Sequence, residues 1–108
     1  MTLSELVELA SNPSTSEEVL RELAEYENWE VRKLVASNPS ASVTTLEELA
    51  NSENWEVREL VASNPSTPTR LLRELAEDEK VRVRCNIASN PNTPEEVLRA
   101  LVKEEDKH

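Results

Sequence analysis

The chain has no glycine and no phenylalanine among its 108 residues. Without glycine, no turn can use the conformational freedom of that residue, so asparagine and proline must form the sharp turns. Glycine-rich phosphate-binding loops are excluded for the same reason. The unfolded state of such a chain is also less flexible, which lowers the entropy lost on folding. We therefore expect a stiff, thermostable chain, of natural or engineered origin.

Cysteine and histidine each occur once, as Cys85 and His108. A single cysteine excludes an internal disulfide and any cluster of cysteine ligands for a metal. No Ser/His/Asp or Cys/His catalytic set can be assembled from one histidine at the carboxyl end. We therefore expect no enzyme activity, no metal site and no cofactor. Cys85 itself is expected to be a partly buried small apolar residue.

Long apolar runs are also missing, and the net charge is −10 at pH 7. Because no segment has membrane-spanning length and no secretory signal is recognised, we expect a cytoplasmic protein without membrane contact. An acidic chain is poorly suited to nucleic acid, which requires a dominant cationic surface. The local exception is a basic cluster, which we define as Arg70, Arg73, Lys80, Arg82 and Arg84. Nucleic-acid binding through this basic cluster is the weakest of our functional hypotheses.

The feature that dominates the sequence is a repeat of fixed period. The tetrapeptide Ala-Ser-Asn-Pro occurs four times, 26 residues apart each time, at residues 10–13, 36–39, 62–65 and 88–91. A fixed period in this range indicates stacked units rather than one globular core. We treat residues 1–108 as a single repeat domain, with units at approximately 2–27, 28–53, 54–79 and 80–108.

Apolar residues fill the same positions in successive units, and charged or polar residues lie between them. Within a unit they recur at helical spacing, and no stretch alternates as a strand would. We expect two helices per unit, near residues 2–11, 15–26, 28–37, 42–51, 54–63, 67–77, 80–89 and 93–105. The short unit leaves room for 3₁₀ turns in place of some α-helices. The main apolar columns are Leu20, Leu46, Leu72 and Leu98; Leu23, Leu49, Leu75 and Leu101; Val31, Val57 and Val83; and Leu9, Val35, Val61 and Ile87.

Asparagine, proline and threonine mark the expected helix boundaries. A residue before proline is pushed out of the helical region, so each Asn-Pro pair should end a helix, and asparagine also tolerates the left-handed geometry of many helix stops. Asn28 and Asn54 are expected to cap the helices that follow them. In the other helix of each unit, the expected caps are Thr15, Thr67 and Thr93, with Ser40 or Ser42 in that role where Ala41 breaks the column. The amides of Asn12, Asn38, Asn64 and Asn90 should form a ladder bonded to the backbone of neighbouring turns.

The run Val31-Arg32-x-x-Val35-Ala36-Ser37-Asn38-Pro39 recurs from Val57 and, with isoleucine in place of the second valine, from Val83. These runs resemble the repeats of the leucine-rich repeat variant family. The resemblance covers essentially the whole chain, and the first unit departs from it most, since Glu5 stands where valine is expected. It implies an all-α, right-handed α-solenoid of about four two-helix repeats, comparable to HEAT and armadillo arrays. One branch of the family carries a cysteine-ligated iron–sulfur cluster, and this chain lacks those cysteines.

Two rows of residues are candidate partner-binding positions. Trp29 and Trp55 are equivalent residues of successive units. They form either an aromatic strip on one rim, as at many binding hot spots, or part of the packing at a helix start. Arg32, Arg58 and Arg84 form the second row. They either bridge to carboxylates of the adjacent unit or bind an anionic ligand. The carboxylates available to them are Glu25, Glu27, Glu53, Glu77 and Glu79.

The residues therefore predict a non-enzymatic scaffold that binds an unidentified protein or peptide on an extended helical surface. The alternative is a self-associating structural or spacer protein, because a stack of units leaves an apolar face at each end unless that end is capped. The last helix ends in the polar run 103–108. The first helix carries Leu3, Leu6, Val7 and Leu9 and is expected to be less well covered.

Overall fold

The computed structural model of the chain describes residues 1–105, with side chains as far as residue 103. Eight α-helices follow one another over this range: α1 (Leu3–Ser11), α2 (Glu17–Leu23), α3 (Trp29–Ser37), α4 (Val43–Ala50), α5 (Trp55–Ser63), α6 (Thr69–Leu75), α7 (Val81–Ser89) and α8 (Glu95–Glu105). Residues 1–105 contain no strand and no 3₁₀-helix, so the 3₁₀ alternative is wrong for this part of the chain. The expected polar end at 103–108 lies mostly outside the described residues.

The helices form an elongated stack that measures 49 × 20 × 17 Å. We call α1, α3, α5 and α7 the A helices, and α2, α4, α6 and α8 the B helices. The A helices begin at residues 3, 29, 55 and 81, and each packs most extensively against the next A helix along the chain. Three of the B helices, α2, α4 and α6, each connect two A helices and pack against both, whereas α8 packs against α7. The predicted all-α solenoid is thus confirmed.

The core runs along the stack through the expected apolar columns. Leu20, Leu46 and Leu72 are completely buried, and so are the valines of the column at 31, 57 and 83. Their equivalent in the last unit, Leu98, is only half-buried, because no described unit follows it. One further column was not predicted: it includes Thr45, whose hydroxyl accepts a hydrogen bond from Ser42 Oγ at 3.1 Å. Burial between neighbours therefore holds the units together, as the repeat predicts.

The turns work without glycine because none of them requires a positive φ. No described residue has a positive φ, and every described peptide bond is trans. The asparagines that end the A helices are extended instead, with φ −80° and ψ 118° at Asn12 and φ −72° and ψ 125° at Asn64. Extended geometry is what the following proline favours. The expected helix ends are confirmed, but the left-handed stop is wrong.

The predicted asparagine caps are confirmed, whereas the predicted threonine caps are wrong. The side chain of Asn28 accepts from the amides of Glu30 and Val31, and that of Asn54 accepts from Glu56. Ser16, rather than Thr15, caps α2, and Ser42, one of the two expected serines, caps α4. The threonine hydroxyls instead donate to the carbonyl six residues earlier, at the end of the preceding A helix. These bonds join Thr15 to Leu9, Thr67 to Val61 and Thr93 to Ile87, at 2.6–2.7 Å.

The physical reason is burial. Thr67 and Thr93 are buried in the turn between the two helices of a unit. A buried hydroxyl must find a partner, and the last carbonyls of a helix have none within the helix. Ala41 occupies the equivalent position in the second unit, where it is buried without a hydroxyl.

The expected asparagine ladder is confirmed for Asn38, Asn64 and Asn90 and joins successive units, whereas the Asn12 side chain only accepts from the backbone amide of Ser14. The Nδ2 atom of Asn38 donates to the carbonyl oxygens of Ala10 and Asn12 in the preceding unit, at 2.9 and 3.0 Å. Asn64 and Asn90 repeat both bonds one and two units later. The side-chain oxygen of each accepts from the amide two residues on. Each buried amide is therefore satisfied by backbone on both sides, and this fixes the register of adjacent units.

Candidate functional site

The tryptophan row lies on one rim of the stack, where each A helix begins. Trp29 is 41% exposed, and its equivalents in the outer units, Leu3 and Val81, are about as exposed at 51% and 53%. Trp55 is half-buried. The position thus points outward in all four units, and Trp29 carries the largest side chain among its exposed members. We call this surface, formed by the starts of the A helices and the ends of the preceding B helices, the rim.

The guanidinium groups of the arginine row donate to loop carbonyls of the rim rather than to the expected glutamates. Arg32 donates from Nε to the carbonyl oxygen of Tyr26. Arg58 Nη1 donates to the carbonyl of Ser52 at 2.8 Å, and Arg84 Nη1 donates to that of Asp78 at 2.6 Å. The acceptor is six residues earlier each time, in the loop that leads into the arginine's own helix. The expected glutamate bridges are wrong, because these helix-entry carbonyls lie within reach of each guanidinium and need a donor.

Arg58 also forms the one ion pair of the row within the described residues, and its partner is Asp78, in the loop that leads into α7. Arg58 Nε lies 2.6 Å from Asp78 Oδ2, and Nη2 lies 3.1 Å from Oδ1, a bidentate arrangement. The two side chains are only 13% and 9% exposed. Asp78 Oδ1 also accepts from the amide of Lys80 at 2.9 Å. The pair therefore links α5 to the loop that leads into α7.

The environment of this ion pair shifts both ionisation equilibria. Burial raises the pKa of Asp78, but hydrogen bonds from Arg58 and the Lys80 amide, with the charges of Arg58 and Arg84, outweigh burial. The net pKa of Asp78 lies below its usual range. The hydrogen bond to Asp78 raises the pKa of Arg58. Both groups are charged at neutral pH and already satisfied internally, so Arg58 is poorly placed to bind an external anion.

Arg32 and Trp29 are brought together by their spacing on α3. The guanidinium carbon of Arg32 lies 4.6 Å from the centre of the Trp29 ring, which is a cation–π contact. Trp55 receives a longer contact from another unit, since Arg82 lies 5.8 Å from its ring centre. The structure therefore pairs tryptophan and arginine within one unit at Trp29 and between units at Trp55. This difference leaves Trp29 as the more exposed of the two aromatic rings.

Two open clefts lie along the rim at equivalent places in successive units. The first rim cleft, of about 330 Å³, is lined by Ala24, Trp29, Arg32, Glu48, Leu49, Ser52 and Glu53. The second rim cleft, of about 450 Å³, is lined by Ala50, Asn51, Ser52, Arg58, Glu77, Asp78 and Glu79. Both combine an exposed glutamate of the same column, Glu53 or Glu79, with an arginine already bonded to backbone. Carboxylates therefore outnumber guanidinium groups in the lining of both clefts.

The acidic side of the rim was missed by our sequence reasoning. Glu27, Glu53 and Glu79 occupy one column and are all exposed. The recurrence of the same carboxylate in three units was the signal that could have identified this row. The sequence instead favours these glutamates as partners of the arginines.

The basic cluster does not form a continuous cationic surface. Arg70 pairs with Glu47 at 2.7 Å, and Arg82 pairs with Glu59 at 3.0 Å. Arg73 pairs with Glu96, and Arg84 donates to the Asp78 carbonyl. Each of these arginines thus contacts an acceptor of the chain itself. Glutamates therefore partly offset the charges of Arg70, Arg73 and Arg82, which lowers their attraction for a polyanion.

Other chemistry is sparse in the described part of the chain. Cys85 is exposed on α7, so the expected partial burial is wrong. It faces the end of the stack, where no described unit covers it. Among residues 1–105, no group of three or more histidine, cysteine, aspartate or glutamate side chains is arranged to hold a metal ion. None of the described helices combines the length and the hydrophobicity needed to cross a membrane.

Comparison with known families gives two matches. The family described as Leucine Rich Repeat Variant domain matches residues 4–59, which is more than half of the chain. The family described as Leucine rich repeat variant matches residues 55–80. Neither the comparison with curated proteins nor the comparison with solved structures gives a match.

Proposed function

The chain belongs to the leucine-rich repeat variant family, and we propose that it is a non-enzymatic scaffold whose rim binds a protein or peptide. Repeat solenoids bind partners on their extended surfaces, since each unit offers similar positions in a fixed array. The single observation that carries the proposal is the exposed Trp29 ring beside the first rim cleft. A large exposed aromatic side chain at the edge of a cleft is the usual anchor of a binding hot spot.

The charges of the rim favour a basic segment as the partner. Arg32, Arg58 and Arg84 donate to loop carbonyls of the chain itself, whereas Glu48, Glu53 and Glu79 are exposed. An anionic ligand would meet these carboxylates, and a cationic one would be attracted by them. Within this proposal Trp29 anchors an apolar or cationic side chain, and Trp55 with the arginine row keeps the rim in shape.

The remaining parts of the proposal concern the setting of the scaffold. We treat residues 1–108 as one repeat domain that acts without a cofactor. A thermostable fold is proposed from the lack of glycine and the internally bonded turns. The cytoplasm is the proposed compartment, and its support is the lone Cys85, which can form no internal disulfide.

A fluorescence titration tests the rim proposal. In a Trp55→Phe variant, Trp29 is the sole tryptophan and reports on the first rim cleft. The probes are two synthetic peptides of equal length and equal apolar content, one carrying lysine and arginine and the other carrying glutamate. We expect the basic peptide to change the Trp29 emission in a saturable and salt-sensitive manner, and the acidic peptide to leave it unchanged.

A pair of matched variants separates the rim from other exposed apolar positions. Trp29→Ser removes the proposed anchor, whereas Val43→Ser removes a side chain of similar exposure, 44%, from α4. Calorimetric titration of the basic peptide should show at least about tenfold weaker binding to Trp29→Ser and unchanged binding to Val43→Ser. Equal affinity in both variants, or saturable binding of neither peptide, would contradict the proposal.

A further inference from the structure

The two ends of the stack differ in a way that bears on what each end can bind. On the outward side of α1, one shallow surface is lined by Met1, Glu5, Glu8, Leu9 and Asn12. In the second unit the equivalent positions are Val31, Leu34, Val35 and Asn38. That set of α3 residues packs against the preceding unit, since Asn38 donates to the backbone of Ala10 and Asn12. The first unit therefore places two carboxylates on the face that the second unit buries.

The opposite end presents an uncovered acceptor face. Ala10, Ala36 and Ala62 are each completely buried under the following unit, whereas Ala88 is exposed. Leu98 is half-buried where its three equivalents are completely buried. Cys85 is exposed beside them. We call the surface formed by Cys85, Ala88 and Leu98 the C-terminal face.

Two backbone carbonyls complete this face. In the three junctions of the stack, the alanine and the asparagine of the Ala-Ser-Asn-Pro run accept hydrogen bonds from the next asparagine amide. The carbonyls of Ala88 and Asn90 occupy those positions in the last unit. No described side chain donates to either of them, so within residues 1–103 the ladder stops at an acceptor end.

We propose that the C-terminal face binds a helix of a different polypeptide that is built like an A helix. That helix would present apolar side chains at the positions of Val31 and Leu34, and an asparagine at the position of Asn38. The argument is internal to the molecule, because its own junctions show three times which surface covers such a face. The inference goes beyond the proposed rim function, since it uses other residues and another part of the partner.

A second copy of the chain does not meet this requirement. Its first A helix would bring Glu5 and Glu8 against the C-terminal face. Burying carboxylates without a partner is costly, and none of the residues that form the C-terminal face is cationic. Polar outer faces on terminal repeats are how repeat proteins avoid stacking into fibres. Glu5 and Glu8 therefore make a second copy an unfavourable partner for the C-terminal face. This argues for a different chain and against the self-association alternative.

The difference between the two ends of the stack can be tested directly with chains of residues 1–108. The probe is the variant Glu5→Val, Glu8→Leu, Ala88→Arg, in which the first helix gains the apolar face and the C-terminal face is blocked. Glu5, Glu8 and Ala88 are all exposed, so these changes do not disturb the core. Mixed with the wild-type chain, the probe should form a one-to-one complex of twice the chain mass in light scattering after size exclusion. Each protein alone should stay monomeric.

Cys85 gives a second readout that identifies the docked surface. It is the only cysteine of each chain, and mass spectrometry separates the wild-type chain from the probe. In the mixture, alkylation of Cys85 should slow in the wild-type chain, whose C-terminal face is covered. Cys85 of the probe should react at its unmixed rate. Equal protection in both chains would show a different mode of contact and overturn the assignment.

Three control variants guard against non-specific association and misfolding. Asn12→Ala in the probe removes the amide that would reach Ala88 and Asn90, and should weaken the complex about tenfold or more. Glu17→Val, Glu18→Leu, Ala88→Arg makes the same apolar changes on exposed positions of α2 and should not bind. Glu8→Leu, Ala88→Arg keeps the capping box between Thr2 and Glu5, and should bind more weakly than the full probe.

The outcomes decide the proposal. If neither the full probe nor the variant that keeps the capping box binds, the C-terminal face does not accept an A helix. Equal binding by the α2 control would show that the probe associates through non-specific hydrophobic contacts. Self-association of the wild-type chain through Cys85-protected contacts would overturn the role given to Glu5 and Glu8. None of these results depends on Trp29. A negative result for the C-terminal face therefore does not bear on the rim proposal, which the peptide titrations test separately.

Discussion

The side-chain amide of Asn64 donates a hydrogen bond to the backbone carbonyl of Asn38, 26 residues earlier, at 2.9 Å. The same amide also reaches Ala36, and its oxygen accepts from the amide of Ser66. One buried side chain thus joins the helix end of one unit to the helix end of the next. Because the residue recurs in every unit, register and spacing along the stack depend on the same interaction.

Removing a ladder asparagine should lower the unfolding free energy more in an interior unit than in the first unit. Asn64→Ala leaves the buried Ala36 carbonyl and the Ser66 backbone amide without these partners and removes one of the two donors to the Asn38 carbonyl, so we expect a loss of about 1–3 kcal/mol in unfolding free energy. Asn12→Ala removes an exposed side chain that only accepts from the Ser14 backbone amide, and it should cost less than about 0.5 kcal/mol. Urea unfolding measures both, and equal losses would contradict the ladder.

Leucine burial can be tested at one position of the core column. Leu72 is completely buried between neighbouring units, so Leu72→Ala should lower the unfolding free energy by about 2–5 kcal/mol. Glu48→Ala, on an exposed position of α4, is the control and should change it by less than about 0.5 kcal/mol. Thermal or urea unfolding would refute the burial pattern if the two substitutions had the same effect.

Ala41→Thr should stabilise the chain. The carbonyl of Val61 accepts from two donors, the backbone N–H of Asn64 and the hydroxyl of Thr67. The carbonyl of Val35 is its equivalent in the second unit. A threonine at 41 can add that missing bond, which we expect to raise the unfolding free energy by about 0.5–1.5 kcal/mol. The reciprocal change, Thr67→Ala, should lower it by a similar amount. A destabilising Ala41→Thr, measured in the same denaturation series, would show that the second unit's turn has no room for the hydroxyl.

The ion pair of Arg58 and Asp78 should make stability depend on acid pH. The folded pKa of Asp78 lies below its value in the unfolded chain, about 3.9. Its contribution is therefore fully present above that unfolded value and is lost as the pH falls through the folded pKa. We expect Asp78→Asn to be less stable than the wild type at pH 7 by about 1–3 kcal/mol, because Arg58 loses its charged partner.

The pH series of this variant is compared with the wild type to isolate Asp78 from the other carboxylates. The gap in unfolding free energy between the two proteins should shrink between pH 5 and the lowest pH at which both remain folded. A gap that stays constant over this range would contradict the depressed pKa. Glu47→Gln, which breaks the exposed pair with Arg70, serves as the control and should cost at most about 1 kcal/mol.

The helices and the ladder were predictable because their determinants are local and periodic. Apolar spacing fixed the buried face of each helix, and the Asn-Pro step fixed its end. The amide ladder followed from the recurrence of asparagine at Asn38 and Asn64. These features depend on which residues repeat, and the sequence contains that information directly.

The partners of the polar side chains were less predictable because several acceptors lie within reach of each. The arginine row was expected to meet glutamates, but loop carbonyls are closer, and the path of the loop is not visible in the sequence. Thr67 was expected to cap a helix, but its burial in the turn directs the hydroxyl back to Val61. The rim clefts form between successive units, so their walls combine residues such as Ala24 and Glu53 that are far apart in the chain.

The central claim is that the chain is a stack of equivalent units held in a fixed register, with surfaces set by that stacking. The most direct measurement is small-angle X-ray scattering on a variant with one extra copy of residues 54–79 inserted after residue 79. We predict a folded monomer whose long dimension increases by about 8–10 Å, one helix-to-helix spacing, with an unchanged cross-section. An increase in all dimensions, or loss of the cooperative fold, would contradict the account.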